Sequence, residues 1–499
     1  MNQPSAPLAI PQHVGSVLKR GFRCAAEGDA AGALEALAAA AICDIQQHQQ
    51  QFLGDVRACA ALAQCADSWL APWRASLAAG GAASPRAHAN GAEESGGRPL
   101  RVLYVVPSIA QGHAGSSNIV RLIKHHLDPA RGSKGMRVAI EPALLVCDEM
   151  TARSPELPFL KLQPTPSEAA GAEHLAALRS LCPVTVLAAT GSFLDAAKRG
   201  VEAARAFDAD VALFMASPAC AVQTAIAAAR VAPIQACLNI GVPLLSHGID
   251  AVIYNNPLKE ARDAEFVRAL GIEVTGVLTS GGDAQVGART PPFPRKEMGL
   301  PDGVPVVACM SNVLGRRMLA GTFAADLAAF LRRNPDAWWL GIGYCDPAPV
   351  RARLRGLEGG ADIERRCVFA GGWSKPWGMI KSCDVVLNEY PEGGGNAVIE
   401  AMGCGVPVVA MRAGERHAEN IGAVLVGPDA VPTADTAAYW ALAERWIRNP
   451  AEARAAGERQ RARAESQLDY TAICPRYEQI VVALAHRAAR ATNAAVATA

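Results

Sequence analysis

The chain has 499 residues, which is too many for one ordinary hydrophobic core, so we expect two or three domains. Apolar residues make up 51% of the sequence and aromatic residues only 5%, a composition typical of a helix-rich α/β protein. Because the formal net charge is only +1, bulk electrostatics give no reason to expect a nucleic-acid partner.

The cysteines and the apolar segments indicate the compartment. Fourteen cysteines occur without any C-x-x-C pair, which predicts reduced, buried thiols in a cytoplasmic protein rather than a disulfide framework or a zinc site. The first residues lack the basic and apolar regions of a signal peptide. No apolar run reaches the roughly 18 residues of a transmembrane helix, whereas peripheral contact with a membrane surface stays open.

The first part of the chain, residues 1–75, is predicted to be a helical segment with alanine-rich faces. One stretch resembles a single unit of a tetratricopeptide hairpin, but no second copy follows at that period. Two interpretations stay open, a module for docking or oligomerisation and a helical collar packed on the next domain. Residues 76–99 have the glycine-rich, polar composition of a flexible linker.

Strands and helices alternate over residues 100–289, which predicts a doubly wound, Rossmann-like α/β domain. Ligands bind such sheets at the carboxyl ends of the strands, and we expect the loops that carry His113 and His247 at that edge. The predicted strands are Arg101–Pro107, Val138–Cys147, Val184–Ala188, Val211–Met215, Ile234–Leu238 and Ala251–Tyr254.

A proline-rich linker, residues 290–303, precedes a second Rossmann-like domain, residues 304–475, and a terminal crossing helix and tail, residues 476–499. Arg316 and Arg317 follow the first strand of this second domain and are expected on its ligand edge. The predicted strands are Val304–Ser311, Trp338–Gly343, Cys367–Ala370, Val385–Leu387 and Val406–Met411.

The most informative stretch, residues 383–411, has the pattern of a strand, a glycine loop, a helix and a second strand. Three consecutive glycines, Gly393, Gly394 and Gly395, carry no Cβ, so backbone N–H groups can approach a ligand closely. Asn396 is the expected N-cap and Ala397 the next helical residue. A helix N-terminus at such a loop favours an anion.

Two carboxylates, Glu392 and Glu400, bracket this loop. Phosphate alone would be repelled by acidic side chains, but a carboxylate can accept hydrogen bonds from both hydroxyls of a vicinal diol. The pair therefore predicts a diphosphate flanked by sugars, that is, a nucleotide-sugar. Arg316 and Arg317, which the sequence does not distinguish, would bind the diphosphate. The alternative is an ordinary βαβ turn in which Glu392 complements the helix dipole.

The motif Glu392-x7-Glu400, followed by AMGCGVPVVA, resembles the signature of the group-1, glycogen-synthase-like glycosyltransferases of the GT-B fold. The segments Gly414–Gly427 and Arg230–Asp250 are similar to segments of the O-GlcNAc transferase family and its bacterial protein-glycosylating relatives. The resemblance covers roughly residues 101–449. It implies two Rossmann-like domains facing a cleft, with the donor in the C-terminal domain.

The resemblance also implies roles for single residues. Glu400 would bind the ribose diol, and Glu392 would hold hydroxyls of the transferred sugar. Ser108-x4-His113 is similar to a stretch whose histidine faces the sugar-transfer site, although Ile109 replaces the aspartate of that stretch.

Further ligand contacts are expected from Asn312, Trp373 and His247. Asn312 and Arg316 have the spacing of an asparagine and a lysine in O-GlcNAc transferases, with arginine in place of lysine. Trp373 lies where proteins of this fold recognise the base, and His247 belongs to one of the similar segments.

The predicted function is therefore a cytoplasmic glycosyltransferase that moves a hexose or N-acetylhexosamine from a UDP-sugar to a protein or glycan acceptor. No cofactor besides the donor and no metal ion are expected, since no D-x-D motif occurs at a plausible site. The two-glutamate motif implies retention, and the O-GlcNAc transferase resemblance implies inversion with His113 as base. The alternatives are a GT-B sugar-nucleotide epimerase or phosphorylase, and a non-catalytic nucleotide-sugar-binding scaffold.

Overall fold

The structure is a computed structural model that divides into two compact units, Met1–Val277 with Pro475–Ala499 and Leu278–Cys474. His113, Asn312 and Trp373 lie outside the described residues. The described residues are 12–48, 56–79, 98–110, 114–128, 138–149, 166–188, 192–215, 220–239, 243–276, 281–282, 284–311, 313–319, 321–343, 345–372, 376–412 and 420–498.

The first unit is built on a parallel sheet. Its strands are β1 (Leu100–Val106), β2 (Ile140–Val146), β3 (Val184–Val186), β4 (Val211–Phe214), β5 (Ile234–Asn239), β6 (Ala251–Tyr254) and β7 (Glu273–Gly276). The seven strands lie in the order β3-β2-β1-β4-β5-β6-β7, so the direction of winding reverses between β1 and β4. Six of these strands are predicted from the sequence; the seventh, β7, is a short edge strand that pairs only with β6.

The helices of this unit cover the sheet, and three of them precede its first strand in the chain. They are α1 (Gln12–Ala26), α2 (Ala30–His48), α3 (Val56–Ala79), α4 (Ala114–His126), α5 (Ser167–Ala170), α6 (Ala172–Arg179), α7 (Phe193–Phe207), α8 (Ala221–Ala228) and α9 (Pro257–Ala269). For example, α7 begins after Ser192, whose hydroxyl accepts a hydrogen bond from the backbone N–H of Asp195. Its apolar residues recur on one face and are buried.

The three N-terminal helices pack onto the sheet domain. Helix α2 contacts α7 and α8, and α3 contacts α8. Leu34, Leu37 and Leu70 are buried in the same continuous core as strand residues of the sheet. Because one core includes both parts, the described residues favour the collar interpretation, and oligomerisation stays a prediction.

The second unit contains a smaller parallel sheet. Its strands are β8 (Val306–Met310), β9 (Trp338–Ile342), β10 (Cys367–Gly371), β11 (Val385–Leu387) and β12 (Val408–Val409). The five strands lie in the order β10-β9-β8-β11-β12, and each pair is parallel. Alternate residues of β8 belong to different cores, with Val307 and Cys309 in one and Val306 and Ala308 in the other. The sheet is thus covered on both faces, as expected for a doubly wound domain.

The helices of the second unit lie between and after these strands. They are α10 (Ala284–Arg289), α11 (Leu314–Leu319), α12 (Phe323–Arg333), α13 (Pro347–Arg355), α14 (Gly360–Arg365), α15 (Trp377–Ile380), α16 (Asn396–Gly403), α17 (Gly422–Val426), α18 (Thr436–Arg448) and α19 (Pro450–Arg463). With two parallel sheets and their helices, the predicted α/β fold class is confirmed.

The division between the units lies upstream of the linker predicted at residues 290–303. Within that segment, the backbone N–H of Phe293 donates to the carbonyl of Gly378 (2.8 Å). The guanidinium of Arg295 donates to the carbonyls of Ser382 (2.8 Å) and Val304 (2.7 Å). These bonds attach the proline-rich segment to the second unit.

The last helix, α20 (Tyr470–Thr498), belongs to the first unit from Pro475 onward. The buried carboxylate of Glu478 lies 3.2 Å from Nε2 of His125 on α4. The neighbouring His126 has its Nε2 2.6 Å from the hydroxyl of Tyr104 on β1. In the described part of the chain, no helix combines the length and the apolar character needed to cross a membrane.

Candidate active site

The candidate site lies at the carboxyl edge of the second sheet, where the strand order reverses. Strands β8 and β11 are neighbours there, while their successors β9 and β12 lie on opposite sides of the pair. Helix α11 follows β8, and the glycine loop follows β11. Loops that leave adjacent strands in opposite directions open a crevice between them, and ligands of doubly wound sheets bind in this crevice. The fold therefore brings Arg316, Arg317 and the loop Gly393–Gly395 together.

Close packing beneath the loop explains two of its three glycines. A Cβ at Gly393 would lie 2.4 Å from Oδ1 of Asn388 and 2.6 Å from Oδ1 of Asn420. A Cβ at Gly394 would lie 3.0 Å from Nη1 of Arg317. The glycines thus let the loop approach the side chains below it, in addition to the predicted approach of a ligand above.

Helix α16 begins directly at the end of the loop. Gly395 is its N-cap residue, and Asn396 is the first helical residue, so the expectation that Asn396 is the N-cap is wrong by one position. Because glycine has no side chain to cap the helix, the first N–H groups are left for another acceptor. Ala397 and Glu400 are half-buried on this helix.

Buried amides hold the loop from below. Nδ2 of Asn388 donates to the carbonyl of Gly394 (3.1 Å), and Nδ2 of Asn420 donates to the carbonyl of Glu389 (2.9 Å). The hydroxyl of Tyr439 donates to the carbonyl of Asn388 (3.0 Å). Each of these side chains is buried, so hydrogen bonds from buried polar groups hold the loop in place.

A second set of bonds fixes the segment before the loop. The hydroxyl of Tyr390 donates to Oδ2 of Asp326 on α12 (2.8 Å) and accepts from Nε1 of Trp440 on α18 (2.5 Å). Burial raises the pKa of Tyr390 beyond its ordinary range, so this hydroxyl stays protonated. The residues that lead to Glu392 are therefore held by two helices.

Arg317 lies beneath the glycine loop and contacts its backbone. Nη2 donates to the carbonyl of Gly393 (3.2 Å), and Nη1 is 3.5 Å from Oε2 of Glu389. The side chain of Arg317 is 15% exposed and that of Glu389 only 1%. Burial raises the pKa of Glu389, and the positive charge of Arg317 partly opposes this rise.

Glu389 is not among the residues predicted from the sequence. Its position in the sequence could have indicated it as a site residue. A carboxylate two residues after a buried strand at the switch point is expected near the ligand edge. Asn388 and Asn420 were missed as well. Asn420 follows a polar segment in the sequence, and no local pattern indicates that its side chain is buried.

Arg316 makes a different contact from its neighbour. Its Nη2 is 2.9 Å from Oε2 of Glu392, and the two side chains are 37% and 28% exposed. The structure therefore pairs two residues that were predicted to bind different parts of the ligand. It also separates the two arginines, since Arg317 is tied to the loop and Arg316 is the more exposed.

His247 is not at the ligand edge of the first sheet, and the predicted position is wrong. Its backbone N–H donates to Oδ2 of Asp67 on α3 (2.7 Å), and its Nδ1 is 3.2 Å from the same oxygen. The carbonyl of the next residue, Gly248, accepts from Nε2 of Gln235 at the amino end of β5 (2.5 Å). Because β6 runs parallel to β5, the connecting loop must return to that end before β6 starts.

The contact with Asp67 therefore ties the N-terminal helices to the sheet domain. Burial raises the pKa of Asp67, and the hydrogen bond and charge of His247 oppose this rise. The ring of His247 itself is mostly exposed, at 71%. The described geometry gives this histidine a structural contact and no place at the carboxyl ends of the strands.

The loop between β1 and His113 is held by hydrogen bonds up to Ala110, the last described residue before His113. The backbone N–H of Ile109 donates to Oγ of Ser167 (2.9 Å), which itself donates to the buried carboxylate of Asp148 (2.7 Å). The backbone N–H of Ala110 donates to Oγ of Ser116 on α4 (3.0 Å). This loop follows β1, at the switch point of the first sheet.

Among the described residues, no group of three or more His, Cys, Asp or Glu side chains is placed to hold a metal ion. None of the cysteines whose side chains the structure describes forms a disulfide. Burial raises the pKa of several of these thiols, for example that of Cys182 to about 11. Metal independence and a cytoplasmic setting stay predictions.

Residues 305–444 match the model of the family described as glycosyl transferases group 1. This range contains the second sheet, both arginines and the whole glycine loop. Among curated proteins, no sequence matches the chain.

Solved structures share the fold. A mutant of the O-GlcNAc transferase of Thermobaculum terrenum has 16% identity and a TM-score of 0.56, with 97% of this chain and 100% of that chain covered. The sucrose-phosphate synthase of Thermosynechococcus elongatus has 19% identity and a TM-score of 0.54, with 78% and 99% covered. The Anabaena protein HepE, solved with UDP-glucose, has 16% identity and a TM-score of 0.52, with 77% and 100% covered. At these identities the likeness is one of fold. Residues 305–444 thus match a group-1 glycosyltransferase domain, and the two parallel sheets together with these structural neighbours show a two-domain α/β fold of the GT-B type.

Proposed function

We propose that this protein transfers a hexose or an N-acetylhexosamine from a UDP-sugar to a protein or glycan acceptor in the cytoplasm, without a metal ion. The observation that carries the proposal is the loop Gly393–Gly395 at the start of α16, beside Arg316 and between Glu392 and Glu400. Two further findings support it. HepE was solved with UDP and with UDP-glucose, and another structure of the same fold is an O-GlcNAc transferase.

The donor diphosphate would bind at the N-terminus of α16. Backbone N–H groups of Gly394–Ala397 and the guanidinium of Arg316 would stabilise the negative charge that develops as the nucleotide leaves. Such a preformed arrangement of dipoles and charge is commonly the largest contribution to catalysis of this kind. Glu400 would accept hydrogen bonds from the ribose diol, and Glu392 from hydroxyls of the transferred sugar.

The remaining roles are those implied by the family resemblance. Asn312 would contact the diphosphate, and Trp373 would stack on the uracil. The first unit would present the acceptor with His113 near the reacting centre, as the base if the reaction inverts configuration. The described cysteine side chains are mostly buried and form no disulfide, which is in keeping with a reducing compartment.

A binding screen of UDP-, GDP- and ADP-sugars, repeated on the variant Glu400→Ala, tests the donor assignment. We expect a UDP-sugar to bind and the variant to lose about 1–3 kcal/mol of binding free energy, the usual cost of deleting a charge-assisted contact. Equal affinity in both proteins would remove Glu400 from the site.

Product analysis then tests the reaction. A glycosyltransferase consumes the donor and forms a glycosylated acceptor. Epimerisation of the UDP-sugar without any acceptor would instead indicate an epimerase, and cleavage that requires inorganic phosphate and yields a sugar phosphate would indicate a phosphorylase. Binding without turnover would indicate a scaffold. Unchanged transfer in the presence of EDTA would support the metal-independent mechanism, whereas loss of transfer would contradict it.

A further inference from the structure

The two arginines of the site differ in whether a ligand can replace their present contacts. Arg317 donates to the carbonyl of Gly393 and pairs with the buried Glu389. A ligand could take this guanidinium only by leaving a buried carboxylate and a loop carbonyl without partners, which is costly. Arg317 is therefore expected to stay in place when a ligand binds.

Among the described residues, the ion pair of Arg316 is one that a ligand can replace. Nη2 of Arg316 lies 2.9 Å from Oε2 of Glu392, and both side chains are about one-third exposed. Ion pairs with this exposure contribute little to stability. An arriving diphosphate carries more negative charge than one carboxylate and suits the planar guanidinium equally well.

When a diphosphate displaces Glu392 from Arg316, the carboxylate of Glu392 loses its partner. A carboxylate next to a bound diphosphate is repelled by it and needs hydrogen-bond donors. An intact nucleotide-sugar provides such donors in its sugar hydroxyls. A nucleoside diphosphate provides none at that position, so Glu392 would compete with it for Arg316.

We propose that Glu392 is a displaceable counterion of Arg316 and that this exchange makes the site favour an intact nucleotide-sugar over the nucleoside diphosphate product. The inference rests on the proposed function, because it takes a nucleotide-sugar as the donor. With the donor bound, the diphosphate holds Arg316 and the sugar holds Glu392. Once the sugar is transferred, Glu392 loses its hydroxyl donors, re-forms the ion pair and weakens the hold on the departing nucleotide. The pair thereby promotes product release.

Calorimetric titration of UDP and of UDP-glucose into the wild type and Glu392→Gln tests the exchange. Glutamine keeps the shape of the side chain but removes the competing charge. We expect the affinity for UDP to rise about two- to fivefold, the range that follows from a partly exposed ion pair. We expect the preference for UDP-glucose over UDP to fall, and the inhibition of transfer by UDP to become stronger.

A double-mutant cycle separates competition for Arg316 from simple charge repulsion. If Glu392 acts through Arg316, the substitution Glu392→Gln leaves the UDP affinity unchanged in an Arg316→Gln background. If Glu392 only repels the diphosphate, the same gain appears in both backgrounds, and that result would overturn the inference. So would an unchanged or weaker UDP affinity in Glu392→Gln alone.

The variant Glu358→Gln is the matched control. Glu358 forms an ion pair with Arg332 (3.1 Å) at the end of α12, and this pair is more exposed than that of Arg316 and Glu392, so the substitution removes the same charge from the same unit away from the glycine loop. We expect no change in UDP affinity. A wild type that binds no UDP and no UDP-sugar would contradict the proposed function itself, whereas normal binding without the Glu392 effect contradicts only the exchange.

Discussion

The guanidinium of Arg317 donates to the carbonyl of Gly393 at 3.2 Å, so this arginine supports the glycine loop from beneath. Its neighbour Arg316 pairs with Glu392 instead. Two adjacent residues of the same type thus make different contacts: Arg317 supports the loop, and Arg316 is the one that we propose to bind the donor.

The first prediction concerns stability. Replacing Arg317 by alanine leaves Glu389 buried without its counterion, and we expect a loss of about 3 kcal/mol in the free energy of unfolding. Replacing Arg316 by alanine removes a partly exposed pair and is expected to cost less than about 1 kcal/mol. Urea denaturation of both variants measures the difference. Equal losses would contradict the division between the two arginines.

The second prediction concerns the pH dependence of stability. Because burial raises the pKa of Glu389 above its ordinary value of 4.5, the folded protein binds the proton more tightly than the unfolded chain does. The stabilising contribution of this proton is present at low pH and is lost as the pH rises through the folded-state pKa. In Glu389→Gln this dependence is absent.

We therefore expect the free energy of unfolding of Glu389→Gln, relative to the wild type, to increase with pH from about 4.5 upward. The slope is at most about 1.4 kcal/mol per pH unit, the value for one proton. Denaturant unfolding of both proteins between pH 4.5 and 8 measures it. A difference that stays constant over this range would show that Glu389 does not titrate in the folded protein with a raised pKa.

The third prediction concerns the glycine loop. Gly393→Ala places a Cβ against the buried oxygens of Asn388 and Asn420, and we expect it to cost about 1–3 kcal/mol of stability and to weaken UDP binding. Gly356→Ala is the control, because its Cβ would meet only ordinary contacts at 3.6 Å. Thermal unfolding and UDP titration of both variants check this. Normal UDP binding in Gly393→Ala would separate the loop from the ligand site.

The fourth prediction concerns the contact between Asp67 and His247. Asp67→Ala removes the acceptor of the backbone N–H of His247 and is expected to lower the free energy of unfolding by about 1–3 kcal/mol. Since this contact lies in the first unit at the amino end of β5, UDP affinity should not change. A marked loss of UDP binding with normal stability would indicate that the contact between Asp67 and His247 contributes to the ligand site.

Local patterns in the sequence predict the two sheets well. Every strand that contacts the candidate site, including β8 and β11, has the continuous apolar composition of a buried parallel strand. The glycine loop is equally visible, because three consecutive glycines before a helix have few other uses. By contrast, β7 reads Glu-Val-Thr-Gly and has only one buried residue, too little to stand out from a loop.

What could not be predicted depends on where the chain goes between strands. His247 follows β5 in the sequence, yet its loop returns to the amino end of the sheet before β6. The pairing of Arg316 with Glu392 joins residues 76 positions apart, as the difference between their numbers shows. The burial of Glu389 likewise depends on Arg317, which no local pattern places beside it. Such contacts arise from topology and not from periodicity.

The most direct test of the ligand site is the affinity of UDP for Arg316→Gln and for Arg332→Gln, measured by calorimetry under the same conditions. Arg332 is an exposed arginine of the same unit at the far end of α12 and serves as the charge-matched control. We predict a loss of about tenfold or more in Arg316→Gln, the effect of one charge-assisted contact, and none in Arg332→Gln. Equal UDP affinity in both variants and the wild type would show that the nucleotide does not bind at the glycine loop beside Arg316.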